Sequence, residues 1–402
     1  MIRALYITNF GLMDTLARTQ IVPYLKRFAE NGIKVYVISF ERVWNLYDNA
    51  LYQDLKKELE ASGIEWRMLI YHSRWGNIWD IINGIFEAAR ITVAHNINII
   101  HARASIPILI GLPISKLLGK KIIYDRRGTM AGDFTDDINI PNIFSKSRFL
   151  YKALDSIDRA VIKLSDGVIL LSERSEAILL NNSTFSRKVK YEIIPCCVDL
   201  ERFTLSKTDA IHESIKKDNN LCYLGSLGTC YLFDKMLDFF RVWKRHFISA
   251  KFIIISQTDR EFIVSQIKNS GLNLNDFFIL KVGLDKVYFY LDQCVASIMF
   301  IKPVECKISS SPTKFAESLA SGVPVLINKG IGDMDKYIIE HRVGEVVCDF
   351  DEEAYEGAIQ KVKTLLLDNF LKSRCRYVAE NYFSIQMAEK RYLRLYHKIC
   401  DL

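Results

Sequence analysis

The chain has 402 residues, half of them hydrophobic, which is enough for two domains of ordinary size, each with its own core. That composition excludes a disordered or low-complexity protein, and the net charge of +7 suits anionic small molecules, an anionic bilayer surface and nucleic acid equally well. No apolar run approaches the roughly 18 residues of a spanning helix, and the opening Met1-Ile-Arg-Ala-Leu-Tyr-Ile7 lacks a signal-peptide layout, so a cytoplasmic location is expected.

In chain order, short runs rich in Ile, Val and Tyr predict strands near 3–8, 34–40, 65–71, 98–102, 121–125, 167–172 and 190–194. Amphipathic segments separate them, such as Thr19 to Ala29, where Ile21, Leu25 and Phe28 recur at helical spacing. Strands apolar on both faces that alternate with helices imply a parallel sheet covered on both sides. After a polar stretch from Ser206 to Asn220 the pattern restarts, with strands near 221–224, 251–256, 277–282, 296–301, 323–327 and 344–348. The expected fold is α/β, with two doubly wound Rossmann-like domains facing each other across a cleft. Domain one spans 1–205 and domain two 206–380. A helix in 381–402, with Lys390, Arg391, Arg394 and Lys398 on its polar side, is expected to pack back on domain one.

Ligands of such folds bind at the carboxyl ends of the strands, and the notable residues fall there. Gly11 follows the first strand, Arg103 the fourth, and Asp125-Arg126-Arg127-Gly128 the fifth. Guanidinium groups grip phosphate or carboxylate bidentately, although both arginines could equally pair with acids locally. Asp125 could orient one of them or accept a sugar hydroxyl. Gly225-Ser226-Leu227-Gly228-Thr229 follows the first strand of domain two, and its amides could form an anion nest or simply a tight turn. His101 is a candidate general base, but an isolated histidine is more often structural.

The most informative segment is Lys307-Ile-Ser309-Ser310-Ser311-Pro312-Thr313-Lys314-Phe-Ala-Glu317. Ser311 can cap a helix, Pro312 suits its first position, and free amides with the positive dipole end suit a phosphate. Helical spacing places Thr313, Lys314 and Glu317 on one face. The alternative is an ordinary capped helix with a surface ion pair. Two Asp-x-Asp triplets, Asp333 to Asp335 and Asp349 to Asp351, sit where helices begin, where capping explains them without a metal. Nine cysteines show no Cys-x-x-Cys spacing, so no zinc is expected. No Gly-x-Ser-x-Gly or His-Glu-x-x-His is present to support a hydrolase.

Together, Ser309-Ser-Ser-Pro-Thr-Lys-Phe-Ala-Glu317, Ala320-Ser-Gly-Val-Pro-Val325, Ile194-Pro-Cys-Cys-Val-Asp-Leu-Glu-Arg-Phe203 and Ser165-Asp-Gly-Val-Ile-Leu-Leu-Ser172 resemble the retaining family 4 glycosyltransferases. The resemblance implies the GT-B fold, a nucleotide-sugar donor in domain two, an acceptor in domain one, and no cofactor or metal. It implies that Glu317 is the second glutamate of the family's Glu-x7-Glu motif, which holds the donor ribose, and that Ser309 to Lys314 lie against the diphosphate and sugar. The chain departs from the pattern: Ser309 replaces the first glutamate, with Glu305 out of register, and Ser226 and Tyr231 stand where arginine and lysine are usual. Positive charge is then expected from Lys307, Lys314, Arg126 and Arg127.

The expected site thus comprises Lys314, Arg127 and Asp125 as catalytic groups. Gly225, Ser226, Lys307, Ser309, Ser310, Ser311, Thr313 and Glu317 are expected to hold the donor, and Gly11, Arg103 and Arg126 to face the acceptor. The expected reaction is metal-independent transfer of a hexose or acetamidohexose to a hydroxyl of a saccharide or lipid-linked saccharide, in polysaccharide or glycolipid synthesis. Nucleic acid is not an expected partner. A nucleotide-sugar 2-epimerase and a non-catalytic nucleotide-sugar-binding subunit are the alternatives. Aromatic and basic residues between Arg42 and Trp79, namely Trp44, Trp66, Arg67, Arg74, Trp75 and Trp79, suit peripheral contact with the inner membrane face or burial in the core.

Overall fold

A computed structural model describes residues 1–43, 48–72, 76–132, 144–181, 189–203, 215, 217–228, 230–283 and 286–400. Trp44, Arg74, Trp75, Thr229 and most of the stretch from Ser206 to Asn220 lie outside these residues.

The chain divides into two compact units, Met1–Pro195 with Ile385–Leu402, and Cys196–Ser384. The first holds seven parallel strands, β1 (Arg3–Thr8), β2 (Lys34–Arg42), β3 (Glu65–Tyr71), β4 (Ile99–Arg103), β5 (Lys121–Asp125), β6 (Gly167–Leu170) and β7 (Lys190–Ile193). Their spatial order is β3-β2-β1-β4-β5-β6-β7. The second holds β8 (Asn220–Leu224), β9 (Phe252–Ile255), β10 (Phe277–Leu280), β11 (Cys294–Met299), β12 (Val325–Asn328) and β13 (Gly344–Val347), in the order β10-β9-β8-β11-β12-β13. Every expected strand is present, and every pairing is parallel.

The strand order reverses direction between β1 and β4 in one unit and between β8 and β11 in the other, and in doubly wound sheets such switch points are where ligands bind. Double winding shows in the side chains of β8. Leu221 and Tyr223 enter a core with Phe240 and Trp243, whereas Cys222 and Leu224 enter another with Phe315 and Leu319.

Two expectations change. The helix expected from Thr19 to Ala29 is two helices, Thr15–Gln20 and Val22–Glu30, separated at Ile21, because Pro23 has no N–H to continue the first. The boundaries expected after 205 and 380 move to 195 and 384. Val198 donates to the Phe383 carbonyl at 2.7 Å, and Arg376 binds the Ala320 carbonyl at 2.8 Å and the Leu200 carbonyl at 3.3 Å, which ties 196–203 to the second unit. The last helix, Ile385–Cys400, packs on β7 and on Val22–Glu30 in the first unit. Its Lys398 pairs with Glu192 at 3.2 Å, and Tyr392 and Tyr396 run beneath the sheet.

Candidate active site

Two clusters hold the expected residues, one in each unit. In the second unit, β8 ends at Leu224 and the chain turns at Gly225, whose φ of +121° favours glycine. A Cβ at Gly225 would overlap Cε and Nζ of Lys314, so the glycine also makes room for that side chain. The helix Thr313–Ala320 follows β11 on the far side of the switch point. Its start differs from expectation. Pro312, with ψ of 122°, is the cap residue rather than the first helical one, and Ser311 does not cap. Ser311 Oγ instead accepts the Cys196 N–H at 3.2 Å, which anchors the serine loop to the segment after β7. The amides of Thr313 and Lys314 consequently have neither an intrahelical acceptor nor a side-chain cap.

Lys314 and Glu317 lie on one face of this helix, and among the described residues neither side chain has a hydrogen-bond or ion-pair partner. The Lys314 ammonium sits 3.7 Å from the Tyr231 ring centroid and 5.5 Å from that of Tyr223. Burial lowers its ammonium to about 8, with Glu317 pulling the other way and Lys307 adding to the fall. Burial raises the Glu317 carboxyl to about 7, and Lys314 only partly opposes that. Two charges held in protein that attract each other only at a distance, with no hydrogen bond or close ion pair among the described residues, are costly, so the site is suited to a ligand that brings those partners.

The supporting loops fix this geometry. Tyr223 donates its hydroxyl to the Ser226 carbonyl at 2.8 Å, so the ring beside Lys314 also holds the glycine turn. Ser226 itself is exposed. Ser310 Oγ donates to the Lys307 carbonyl at 2.8 Å, and the Gly332 N–H reaches the same carbonyl at 3.3 Å. A Cβ on Gly332, where φ is +47°, would overlap the Ser310 carbonyl. Ser309 is buried, and Thr313 is half-buried with no partner for its hydroxyl among the described residues. The tyrosine cage and the Gly330-Ile331-Gly332 turn escaped the sequence reading. The Gly-x-Gly after a predicted strand was the available signal for the second, and nothing in sequence spacing signals the first.

In the first unit, Asp125 is fully buried at the end of β5. It pairs with Arg103 at 3.0 Å and with Arg127 Nε at 2.8 Å, and His101 Nε2 lies 3.3 Å away. Burial alone would raise its carboxyl, but the Arg127 and Arg103 guanidinium groups outweigh that and hold it well below the usual carboxylate range. Tyr392 accepts from Arg127, and Tyr396 meets His101 Nδ1 at 2.8 Å, both reaching in from the C-terminal helix. His101 is buried and held neutral by that burial, which is the structural role. These contacts correct several expectations. Asp125, expected to be catalytic, is fully buried and holds Arg103 and Arg127. Arg103, only 4% exposed, faces Asp125 rather than an acceptor. Arg126 is locked on Asp158 at 2.9 Å, with the Tyr124 hydroxyl on the same carboxylate. Arg127 is tied to Asp125 and Tyr392, so both arginines of the pair already have partners within the first unit.

Gly11 is buried against Glu41, whose carboxylate accepts the Leu12 N–H at 2.6 Å and the Ser39 hydroxyl at 2.8 Å. Of the acidic triplets, Asp351 caps the helix Glu352–Leu366 through the Ala354 N–H at 2.8 Å, whereas Asp333 heads its helix without a side-chain cap. Trp66 donates to Ser39 at 2.8 Å, and Trp79 is exposed.

Residues 206–381 match the family profile described as glycosyl transferases group 1, and residues 19–202 match glycosyltransferase family 4. This chain is a GT-B glycosyltransferase of the family 4 type. Among solved structures, the glycosyltransferase is similar to sucrose-phosphate synthase from Thermosynechococcus elongatus, with a TM-score of 0.71, 12% identity and 99% of each chain covered. It is also similar to Anabaena HepE in complex with UDP and glucose, at a TM-score of 0.67 and 13% identity over 98% of this chain and 99% of that one. S. aureus MnaA with UDP matches at a TM-score of 0.61 and 9% identity over 100% of this chain and 98% of that one. At such identities these three establish the fold alone. No curated protein sequence matches the chain.

Proposed function

We propose that this glycosyltransferase moves a hexosyl or acetamidohexosyl group from a nucleoside-diphosphate sugar to a hydroxyl with retention of anomeric configuration, in cell-surface polysaccharide or glycolipid synthesis. The observation that carries the reading is Lys314 and Glu317, two charged side chains with no hydrogen-bond or ion-pair partner among the described residues, at the amino end of one helix beside the β8–β11 switch point. The UDP bound to HepE and to MnaA supports a nucleoside diphosphate as the leaving group. The Thr313 and Lys314 amides and the Lys314 ammonium take the diphosphate, Lys307 adds charge, and Glu317 accepts the ribose hydroxyls.

As the bond from the anomeric carbon to the phosphate oxygen breaks, negative charge grows on the leaving group where these donors are already in place. The acceptor oxygen bonds to the anomeric carbon from the same face, and its proton passes to the departing phosphate oxygen. No protein carboxylate then serves as base, which agrees with Asp125 being sealed. Lysines and helix amides supply the neutralisation, so chelation with EDTA is expected to leave turnover unchanged.

The test is incubation with a panel of nucleoside-diphosphate sugars, with and without saccharide acceptors, reading nucleotide release and the anomeric proton of the product by NMR. Acceptor-dependent release with a retained anomer is expected. Conversion of the donor alone into an epimer, or donor binding with no release under any acceptor, replaces this reading.

A further inference from the structure

Strand β2 outruns its neighbour in the first sheet. Thr8, the last residue of β1, pairs with Ser39, so Phe40, Glu41 and Arg42 continue past the end of β1 and reach the loop that follows it. That loop lies at the β1–β4 switch point. Its own chain pins it twice, with Thr8 Oγ1 accepting the Phe10 N–H at 3.1 Å and the Gly11 carbonyl accepting the Asp14 N–H at 3.0 Å. Glu41, fully buried, adds a clamp from the side: its carboxylate accepts the Leu12 N–H at 2.6 Å and the Met13 N–H at 3.4 Å. The third donor to that carboxylate, the Ser39 hydroxyl at 2.8 Å, is held in turn by Trp66 on β3. Gly11 completes the interlock, because a Cβ there would overlap Glu41 Oε2.

For a brace alone this is a costly choice. No lysine, arginine or histidine pairs with Glu41 among the described residues; burial raises its carboxyl, the three donors only partly offset that, and Asp14 adds to the rise. A neutral side chain ties down two amides at a lower cost. What the clamp fixes is the pair of side chains at the start of the loop. Asn9 Oδ1 has no hydrogen-bond partner among the described residues, and Phe10 beside it is half-buried. A carboxamide oxygen accepts hydroxyls and an aromatic ring covers the C–H face of a pyranose, which are the two kinds of contact a saccharide offers.

We propose that Glu41 is a positioning residue of the transfer: by clamping the Leu12 and Met13 amides it holds the loop 9–14 in the shape in which Asn9 and Phe10 bind the acceptor saccharide. This role rests on the transfer reading, since the ligand of the loop is the saccharide that receives the sugar.

Saturation-transfer NMR on the full chain tests it, with methyl hexopyranosides and methyl acetamidohexopyranosides as probes and no donor present. Wild type is expected to bind at least one of them. Asn9→Ala and Glu41→Gln are each expected to weaken that binding at least about tenfold with circular dichroism unchanged. Gly11→Ala, whose Cβ pushes the carboxylate away, is expected to lose as much as Glu41→Gln, and the double variant no more than either, because both undo one clamp. Wild type that binds none of the glycosides overturns the proposal, as does wild-type affinity in Asn9→Ala or in a folded Glu41→Gln. Where Glu41→Gln does not fold, Ser39→Ala removes one donor and keeps the carboxylate; a weakened affinity supports the clamp and an unchanged one overturns it. Lys314→Ala is expected to bind the glycoside like wild type, and its loss there assigns the glycoside to the second unit and overturns the proposal. Nucleoside-diphosphate binding, read by calorimetry, is expected to be the same in the Asn9, Gly11, Ser39 and Glu41 variants as in wild type. A failure of the transfer reading shows instead as wild type that binds no nucleoside diphosphate, which keeps the two failures distinct.

Discussion

Two charged clusters sit at strand ends in this glycosyltransferase, and they are opposites. Around Asp125 the charges answer one another: Arg103 and Arg127 pair with the carboxylate, and Tyr392 meets Arg127. Around Lys314 they do not, because the lysine faces tyrosine rings and among the described residues Glu317 has no hydrogen-bond or ion-pair partner. The first arrangement holds a fold together and leaves little for a ligand to complete. The second is costly to the fold as it stands, and the proposed donor site rests on that cost.

The comparison can be broken most decisively by removing Asp125. Asp125→Asn leaves two guanidinium groups without their counter-charge, and a loss of about 3–5 kcal/mol in urea unfolding is expected. Because Asp125 is held below the usual carboxylate range, its contribution is present at neutral pH and fades as pH falls below the ordinary aspartate value, so wild type and variant converge in acid. A midpoint unchanged at pH 7 would dissolve the contrast between the clusters.

Lys314→Ala is the counterpart. Turnover is expected to drop roughly 10²–10³-fold, the loss on removing one preorganised charge stabiliser, with urea stability held or improved. Turnover within a few-fold of wild type rejects the role.

Glu317→Gln sharpens the comparison, since its pH sign is the reverse of Asp125. A carboxyl raised to about 7 from an ordinary 4.5 stabilises the fold only while protonated, and that contribution disappears as pH rises from 4.5 through 7. The variant is thus expected to gain on wild type by about 1–3 kcal/mol between those limits. The same group shapes catalysis. With Glu317 needed ionised and Lys314 needed charged, kcat/KM is expected to rise through pH about 7 and fall through pH about 8. Glu317→Gln removes the acid limb. A variant profile that keeps this limb assigns it to another group.

The smallest expected effect concerns the cage. Tyr231→Phe leaves turnover near wild type, whereas Tyr231→Leu removes the ring beneath Lys314, worth about 0.5–2 kcal/mol, and lowers turnover a few-fold to about 20-fold. Equal turnover in both variants shows that the ring does not position the lysine.

The sheets were legible because strands apolar on both faces, such as Leu221 to Leu224, alternate with helices whose polar side is plain in the sequence. Lys314 and Glu317 were legible because helical spacing alone puts them on one face. What stayed hidden depends on contacts across long stretches of chain. Tyr392 lies 267 residues from Asp125, and Asp158 lies 32 from Arg126, so no local pattern announces that these partners neutralise the residues expected to face a ligand. Ser311 misled for a related reason. It has the chemistry of a cap, but the Cys196 amide, 115 residues away, claims its oxygen. The C-terminal tyrosines, four apart on one amphipathic helix, carried a faint signal that apolar periodicity absorbed.

The central claim is that the amino end of Thr313–Ala320 grips the nucleoside diphosphate through Lys314 and Glu317. Calorimetric titration of a nucleoside-diphosphate panel into wild type, Lys314→Ala and Glu317→Gln tests it most directly. The account predicts that wild type binds at least one member of the panel and that each variant binds that member at least about tenfold more weakly, the loss for one hydrogen-bonded charged group. Equal affinity in all three proteins contradicts it.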